Sequence, residues 1–228
     1  CSLLIAVGIT PDGQRTILGV SVSLSEAEVH WREFLAGLQA RGLHGVRLIT
    51  SDDHAGLRAA LAARFSGVKW QRCQFHLAKN LFDHLPPNVP QEEASADLRA
   101  VFNAPNRAEA DRLLGQMVSK HAKSAPKLAA WLEQNVPEGL TVFDFPAEHR
   151  RRLRTNNGLE RLHREIKRRT RVATLFPHEA SVLRLATAVL MEVDEEWQTE
   201  KRHLPKATPL ARLDTIIAIY RQRMALFL

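Results

Sequence analysis

Residues 46–53 read Val46-Arg47-Leu48-Ile49-Thr50-Ser51-Asp52-Asp53, a short aliphatic and β-branched run that ends in two carboxylates. Such a run is strand-forming by composition, and behind it Leu57, Leu61 and Phe65 recur at helical spacing. Asp52 therefore falls at the carboxyl end of a strand, where a helix begins. Upstream, residues 3–10 and 15–23 are aliphatic and β-branched, and Pro11-Asp12-Gly13 between them supplies turn chemistry, so they read as a hairpin. Ser25 with Glu28 reads as a capping box opening a helix over 25–41, with Val29, Phe34, Leu35 and Leu38 on its apolar side and Gly42 at its stop. Downstream, residues 68–72 read as one more short strand. The order hairpin, helix, strand, helix, strand makes an α/β sheet with helices packed on it.

From about residue 76 the period changes. Helical patterns around 77–85, 92–102, 107–121 and 127–134 are separated by Pro86-Pro87, Pro105 and Pro126, which makes this stretch an all-helical insertion. Residues 140–145 read as extended, and helices are expected over 157–172, 178–197 and 210–227. The chain then divides into a first core part at 1–75, a helical insertion at 76–149 and a second core part at 150–228.

With 228 residues, 45% hydrophobic and 25% charged, the chain can bury a substantial core and is neither disordered nor fibrous in composition. Lys and Arg total 32 against 25 Asp and Glu, for a net charge of +7, a balance suited to a polyanionic partner. Distribution says more than the total. Residues 150–171 hold ten Lys or Arg and only Glu160 and Glu165 as acids, and local density of this kind points to nucleic acid. Two cysteines, Cys1 and Cys73, exclude a disulfide framework and a four-cysteine zinc site, and fit a reducing cytoplasm. No apolar run approaches the roughly 20 residues that span a membrane. The first residue is Cys and the run Leu3 to Val7 is too short for a signal peptide, so the N-terminus reads as a break inside a longer protein.

A carboxylate at the carboxyl end of a sheet strand, as Asp52 is, can hold a divalent metal at the mouth of an α/β fold. Against this, Asp at a strand-to-helix junction is a common helix cap, and Asp53 competes for that job. In the helix from Asn157, Leu159, Leu162 and Ile166 form the buried stripe, while Glu160, Arg164, Lys167 and Arg171 share a second one. An acid heading a basic stripe suits a phosphodiester, the carboxylate holding metal and the cations holding phosphates. The alternative is a capping box of Asn157 and Glu160 with a solvated basic face. Cys73 and His76 have a spacing that can supply two zinc ligands, but a structural site needs four and no second cysteine pair follows. Trp31, Trp70, Trp131 and Trp197 sit in separate elements and read mostly as core anchors, with Trp131 also able to stack on an unstacked base.

Together these residues resemble the Mutator-like bacterial insertion-sequence transposases. The matching segments are Ala6-Val7-Gly8-Ile9, Leu18-Gly19-Val20, Trp31-Arg32-Glu33-Phe34-Leu35, Arg41-Gly42-Leu43 and Ser51-Asp52-Asp53-His54-Ala55-Gly56-Leu57. They continue in Trp70-Gln71-Arg72-Cys73-Gln74-Phe75-His76 with Lys79-Asn80, then Thr155-Asn156-Asn157-Gly158-Leu159-Glu160-Arg161 with Arg168-Arg169-Thr170-Arg171. The resemblance implies an RNase H-like mixed sheet with flanking helices, interrupted by the helical insertion, and DNA cleavage and strand transfer by three carboxylates on two Mg²⁺ or Mn²⁺ ions. Asp52 would be the second acid and Glu160 the third, both metal ligands, with Arg164, Lys167, Arg168 and Arg171 on DNA. Cys73 and His76 would match the family's C-x-x-H element. The resemblance further implies element-end and target DNA as partners, a homo-oligomer on that DNA, no membrane, and a bacterial cytoplasmic, nucleoid-associated location. The first acid would lie on a strand before the opening hairpin, upstream of Cys1. The expectation is thus a truncated, catalytically inert chain whose hairpin has an open, aggregation-prone edge. Other readings are a non-catalytic DNA-binding module of the same fold and a different RNase H-like nuclease.

Overall fold

The computed structural model describes residues 2–10, 12–23, 25, 27–170, 176, 178–199, 203–204 and 216–223, and the side chains at 157, 158, 160, 161, 170 and 216–223 fall outside that description. The elements run β1 (Ser2–Ile9), β2 (Arg15–Ser23), α1 (Glu28–Ala40), β3 (Leu48–Ser51), α2 (Ala55–Arg64) and β4 (Lys69–Arg72). They continue with α3 (Gln74–Phe82), α4 (Gln91–Phe102), α5 (Arg107–His121), α6 (Pro126–Asn135), α7 (Ala147–Leu153), α8 (Asn157–Thr170), α9 (Glu179–Thr199) and β5 (Ile216–Arg223). The fold is mixed α/β. It forms two compact units, one of Cys1–Lys69 with Asn156–Leu228 and one of Trp70–Thr155.

In the first unit the strands lie in the order β2-β1-β5-β3. β1 pairs antiparallel with β2, with a register shift between Ala6 and Val7, and the turn closes through Gly13 at φ +85°, a conformation that costs glycine nothing. Alternate residues of β1 face opposite sides, so Leu3, Ile5 and Val7 meet Leu159, Leu162 and Ile166 of α8 and Val182, Ala186, Val189 and Leu190 of α9 in one apolar cluster. The apolar stripe expected for α8 is therefore the face it buries. α9 is tied to β2 by Asp194, whose Oδ1 accepts from Ile17 N at 2.7 Å, and by Arg15 lying 4.3 Å over the Trp197 ring. On α1, Trp31, Phe34, Leu35 and Leu38 are buried. Gly19 of β2 lets α1 approach: a Cβ there would stand 2.8 Å from a Leu38 methyl and 2.6 Å from the Arg41 guanidinium.

The second unit is helical apart from its share of β4. Gln71, fully buried, donates to Gly139 O at 2.8 Å and accepts from Val142 N at 2.7 Å, while Gln74 donates to the same Gly139 O. Arg72 reaches Asn135 at 2.8 Å and Glu138 at 3.1 Å. These side chains satisfy the turns that follow α6, as buried polar backbone requires.

Several expectations are corrected. α1 begins at Glu28 behind Ala27 with no side-chain cap; Glu28 binds Arg32 instead, and Val29 is 51% exposed rather than core. Residues 140–145 are not extended: short 3-10 turns cover Val136–Gly139 and Thr141–Asp144, because Pro137 opens a tight turn and Gln71 holds Val142 N inside it. α7 is not anticipated by the sequence, since seven arginine-rich residues carry too little period to see. The largest change is in the final helix expected over 210–227. Residues 216–223 are strand β5, antiparallel to β1 and parallel to β3, and the rest of that range lies outside the described residues. Ile216, Ile217, Ile219 and Tyr220 favour strand, and a place between two waiting strands overrides a helical period. β1 is consequently paired on both sides, and the open hairpin edge expected from the sequence is filled by β5.

Ala218 stands opposite Val7 on one side and Thr50 on the other. Ala218→Pro removes a ladder donor from an interior strand and should lower unfolding stability by about 2 kcal/mol in urea titration. An unchanged midpoint would contradict the pairing of β5.

Candidate active site

β3 delivers Asp52 just past its last residue, Ser51. The three side chains that follow the strand divide the local tasks. His54, not either aspartate, caps α2: its Nδ1 accepts from Leu57 N at 3.3 Å. Asp53 pairs with Arg58 at 3.2 Å. Asp52 receives a hydrogen bond from Asn156 Nδ2, at 3.3 Å from its Oδ1. The helix-cap reading of Asp52 is thus set aside by geometry. Asp52 is half-buried and Asn156 is 2% exposed.

Asn156 directly precedes α8, and its carbonyl accepts from Leu159 N at 2.8 Å. Glu160 is the fourth residue of that helix. Its side chain, like that of Asn157, lies outside the described residues, so the capping-box alternative for this pair lies there as well.

His163 belongs to the same neighbourhood and is 6% exposed. Burial first, and the charge of Lys167 second, push its imidazole down to about 3, against the opposing pull of the Asp52 carboxylate. At neutral pH His163 is uncharged. A signal for this burial is present in the sequence: with Leu159, Leu162 and Ile166, His163 completes an i, i+3, i+4, i+7 face. Asn156 gives no comparable signal, because an Asn before a helix ordinarily reads as a cap.

The basic side chains of α8 are not equivalent. Arg168 forks onto Glu165 at 2.6 and 2.9 Å, and Arg169 binds both Glu165 and Glu192. These bonds hold the Glu165 carboxyl down at about 2 and raise both guanidinium groups above their ordinary value. Arg164 and Lys167 are exposed, and Arg171 lies outside the described residues. On α7, Arg150 donates to the carbonyls of Phe145, Pro105 and Phe143, a structural commitment, whereas Arg151 and Arg152 are exposed.

In the second unit, Cys73 is fully buried at the N-cap of α3, and His76 stands in the first turn of that helix. Their ligand atoms lie within 4.8 Å of each other. Trp131 stacks on His84 with ring centroids 4.8 Å apart, a packing role for the indole whose sequence position also allowed base stacking.

A family model described as "Transposase, Mutator family" matches residues 1–200. The chain belongs to the Mutator family of transposases. Among family relatives, it is 55% identical over 204 residues to the transposase of insertion sequence element IS406 of Burkholderia multivorans, covering 90% of this chain and 53% of that protein. It is 39% identical to the ISRM5 transposase of Rhizobium meliloti over 89% of this chain and 51% of the relative. The IS256 transposase of transposon Tn4001 from Staphylococcus aureus is 34% identical over 85% of this chain and 50% of its own length. The chain spans about half the length of the curated relatives it matches. Among the described residues, no helix of this family member is long and apolar enough to cross a membrane.

The depressed His163 gives a pH test. An unfolded imidazole takes its proton near pH 6.5 while the folded one waits until about 3, so stability is lost as pH falls through that window and is constant above it. Between pH 6.5 and 5 this amounts to about 2 kcal/mol. His163→Phe should flatten that part of the stability profile in chemical denaturation, and a wild-type slope in the variant would contradict the assignment.

Proposed function

We propose that the chain carries part of the catalytic machinery of an insertion-sequence transposase that cuts DNA and joins its ends by DDE chemistry on two divalent ions, Mg²⁺ or Mn²⁺. The observation that carries the reading is the placement of Asp52. It stands at the carboxyl end of β3, relieved of capping by His54, and hydrogen-bonded to the residue that opens α8, the helix bearing Glu160. Family membership supports it, and an RNase H-like core of 1–75 and 150–228 with a helical insertion at 76–149 belongs to the same proposal.

The donor set fits. Hard carboxylate oxygens are what Mg²⁺ takes, and Asn156 occupies one lone-pair position on Oδ1 while leaving the carboxylate its full charge. Bound divalent ions would activate the attacking hydroxyl and stabilise the leaving oxygen. Asp52 and Glu160 would hold them. His163, uncharged and buried beside Asp52, adds no cation to compete for the carboxylate. Arg164 and Lys167 on the exposed side of α8 would take phosphates of element-end or target DNA, with a homo-oligomer assembled on that DNA. Arg168 contributes less, because Glu165 already holds it. Cys73 and His76 are read as the family's C-x-x-H element.

A chimera placing residues 1–200 in the matching half of the IS406 transposase tests the chemistry. It should transfer element ends with Mg²⁺ or Mn²⁺, and Asp52→Ala or Glu160→Ala should abolish transfer while DNA binding persists. Transfer surviving either change would overturn the acid assignment; a wild-type chimera that binds DNA without cutting it would favour a non-catalytic DNA-binding module.

Replacing Arg164 and Lys167 by Gln should weaken binding to any duplex and make the salt dependence shallower, by about 0.9 in log K against log salt for each phosphate no longer neutralised. Arg168→Gln should change the slope less. An effect of Arg168→Gln equal to that of Arg164→Gln alone would contradict the division of charge on α8.

A further inference from the structure

We propose that Asn156 is a positioning residue for Asp52, fixing the orientation of its carboxylate toward a divalent cation and registering the first turn of α8 against the end of β3. The inference rests on the function proposed above and concerns a residue to which that function assigns no catalytic part.

Asn156 is 2% exposed, unusual for an amide side chain, and a buried amide survives only with hydrogen-bond partners. Its place before α8 is one where an Asn side-chain oxygen ordinarily accepts from the N–H groups of the first turn. Here the amide nitrogen, the donor end of that side chain, is directed to Asp52 Oδ1, across 104 residues of sequence. An ionised carboxylate has only acceptors, so the amide must turn its NH₂ toward it, which fixes the orientation of both groups. The choice of side chain is chemically specific. A Lys or Arg at this point would pair with Asp52 and compete with a metal ion for its charge, whereas an amide orients the carboxylate and leaves it anionic. Because Asn156 adjoins Asn157, the first residue of α8, the same bond ties the turn that carries Glu160 to the strand end that carries Asp52. The neighbouring side chains have their own tasks: His54 caps α2 and Asp53 has Arg58.

Residues of this kind behind a metal ligand typically change metal affinity by about 10-fold to 100-fold when removed. The test uses the 228-residue chain, with Mn²⁺ alone as the probe in isothermal titration and with hydrogen exchange measured without metal. Asn156→Leu keeps the branched shape of the side chain, with somewhat more bulk, and removes the donor. It should weaken Mn²⁺ binding by about 10-fold to 100-fold, with melting showing a folded protein. In the metal-free protein, Asn156→Leu and Asp52→Ala should each speed exchange at the Leu159 and Leu162 amides by roughly fivefold, the worth of one hydrogen bond. The double variant should go no further, since both changes break one bond. A merely structural Asn156 would lower melting and leave Mn²⁺ affinity at the wild-type value, and that result overturns the proposal. Wild-type affinity in Asp52→Ala would overturn the metal assignment instead; the exchange comparison then decides alone whether Asn156 positions Asp52, and additive effects of the two changes would refute it.

Discussion

One hydrogen bond, from Asn156 to Asp52, joins parts of the chain 104 residues apart within a single compact unit. Its constraint is geometric. A carboxylate at a strand end can be spent on a helix cap, on an ion pair or on something distant, and the run Asp52-Asp53-His54 distributes these tasks among three side chains. The imidazole takes the cap, the second aspartate takes an arginine, and the first is turned toward α8. If Asp52 took either of the other two tasks it would be committed locally, and the link between β3 and the helix that bears Glu160 would be lost.

The apolar core makes that link possible. β1 is buried along its whole length and pairs on both sides, and its Leu3, Ile5 and Val7 face seats α8 and α9. With Leu159, Leu162 and Ile166 pinned there, the opposite side of α8 is free to carry charge. That charge is divided: Glu165 and Glu192 hold Arg168 and Arg169, Lys167 stands close enough to His163 for its charge to be felt there, and Arg164 is exposed. The formal basicity of the helix overstates what it can offer a polyanion, since a guanidinium already forked onto a carboxylate gives up a partner to bind phosphate.

Much of this is legible in residues 46–53 and 157–170, where period and composition agree. The strand before Asp52, the helix behind it and the buried stripe of α8 follow from short-range pattern alone, as do the helices of residues 74–135. What the pattern misses depends on long-range partners. β5 becomes strand because β1 and β3 flank a place for it, and 140–145 turns because Gln71, 71 residues before Val142, holds its N–H. At the site, Asn156 and His163 are hidden for a related reason. An Asn before a helix reads as a cap and nothing more until its nitrogen is seen to face Asp52, and a His within an apolar stripe is silent until the carboxylate beside it is located.

The most direct measurement is anomalous diffraction at the manganese edge from crystals of the protein soaked in Mn²⁺. The account predicts an anomalous peak against the Asp52 carboxylate, on the side away from Asn156, with Glu160 reaching the same ion or its neighbour. A peak held by Cys73 and His76 with none at Asp52, or no ordered ion at Asp52 at saturating Mn²⁺, would contradict it.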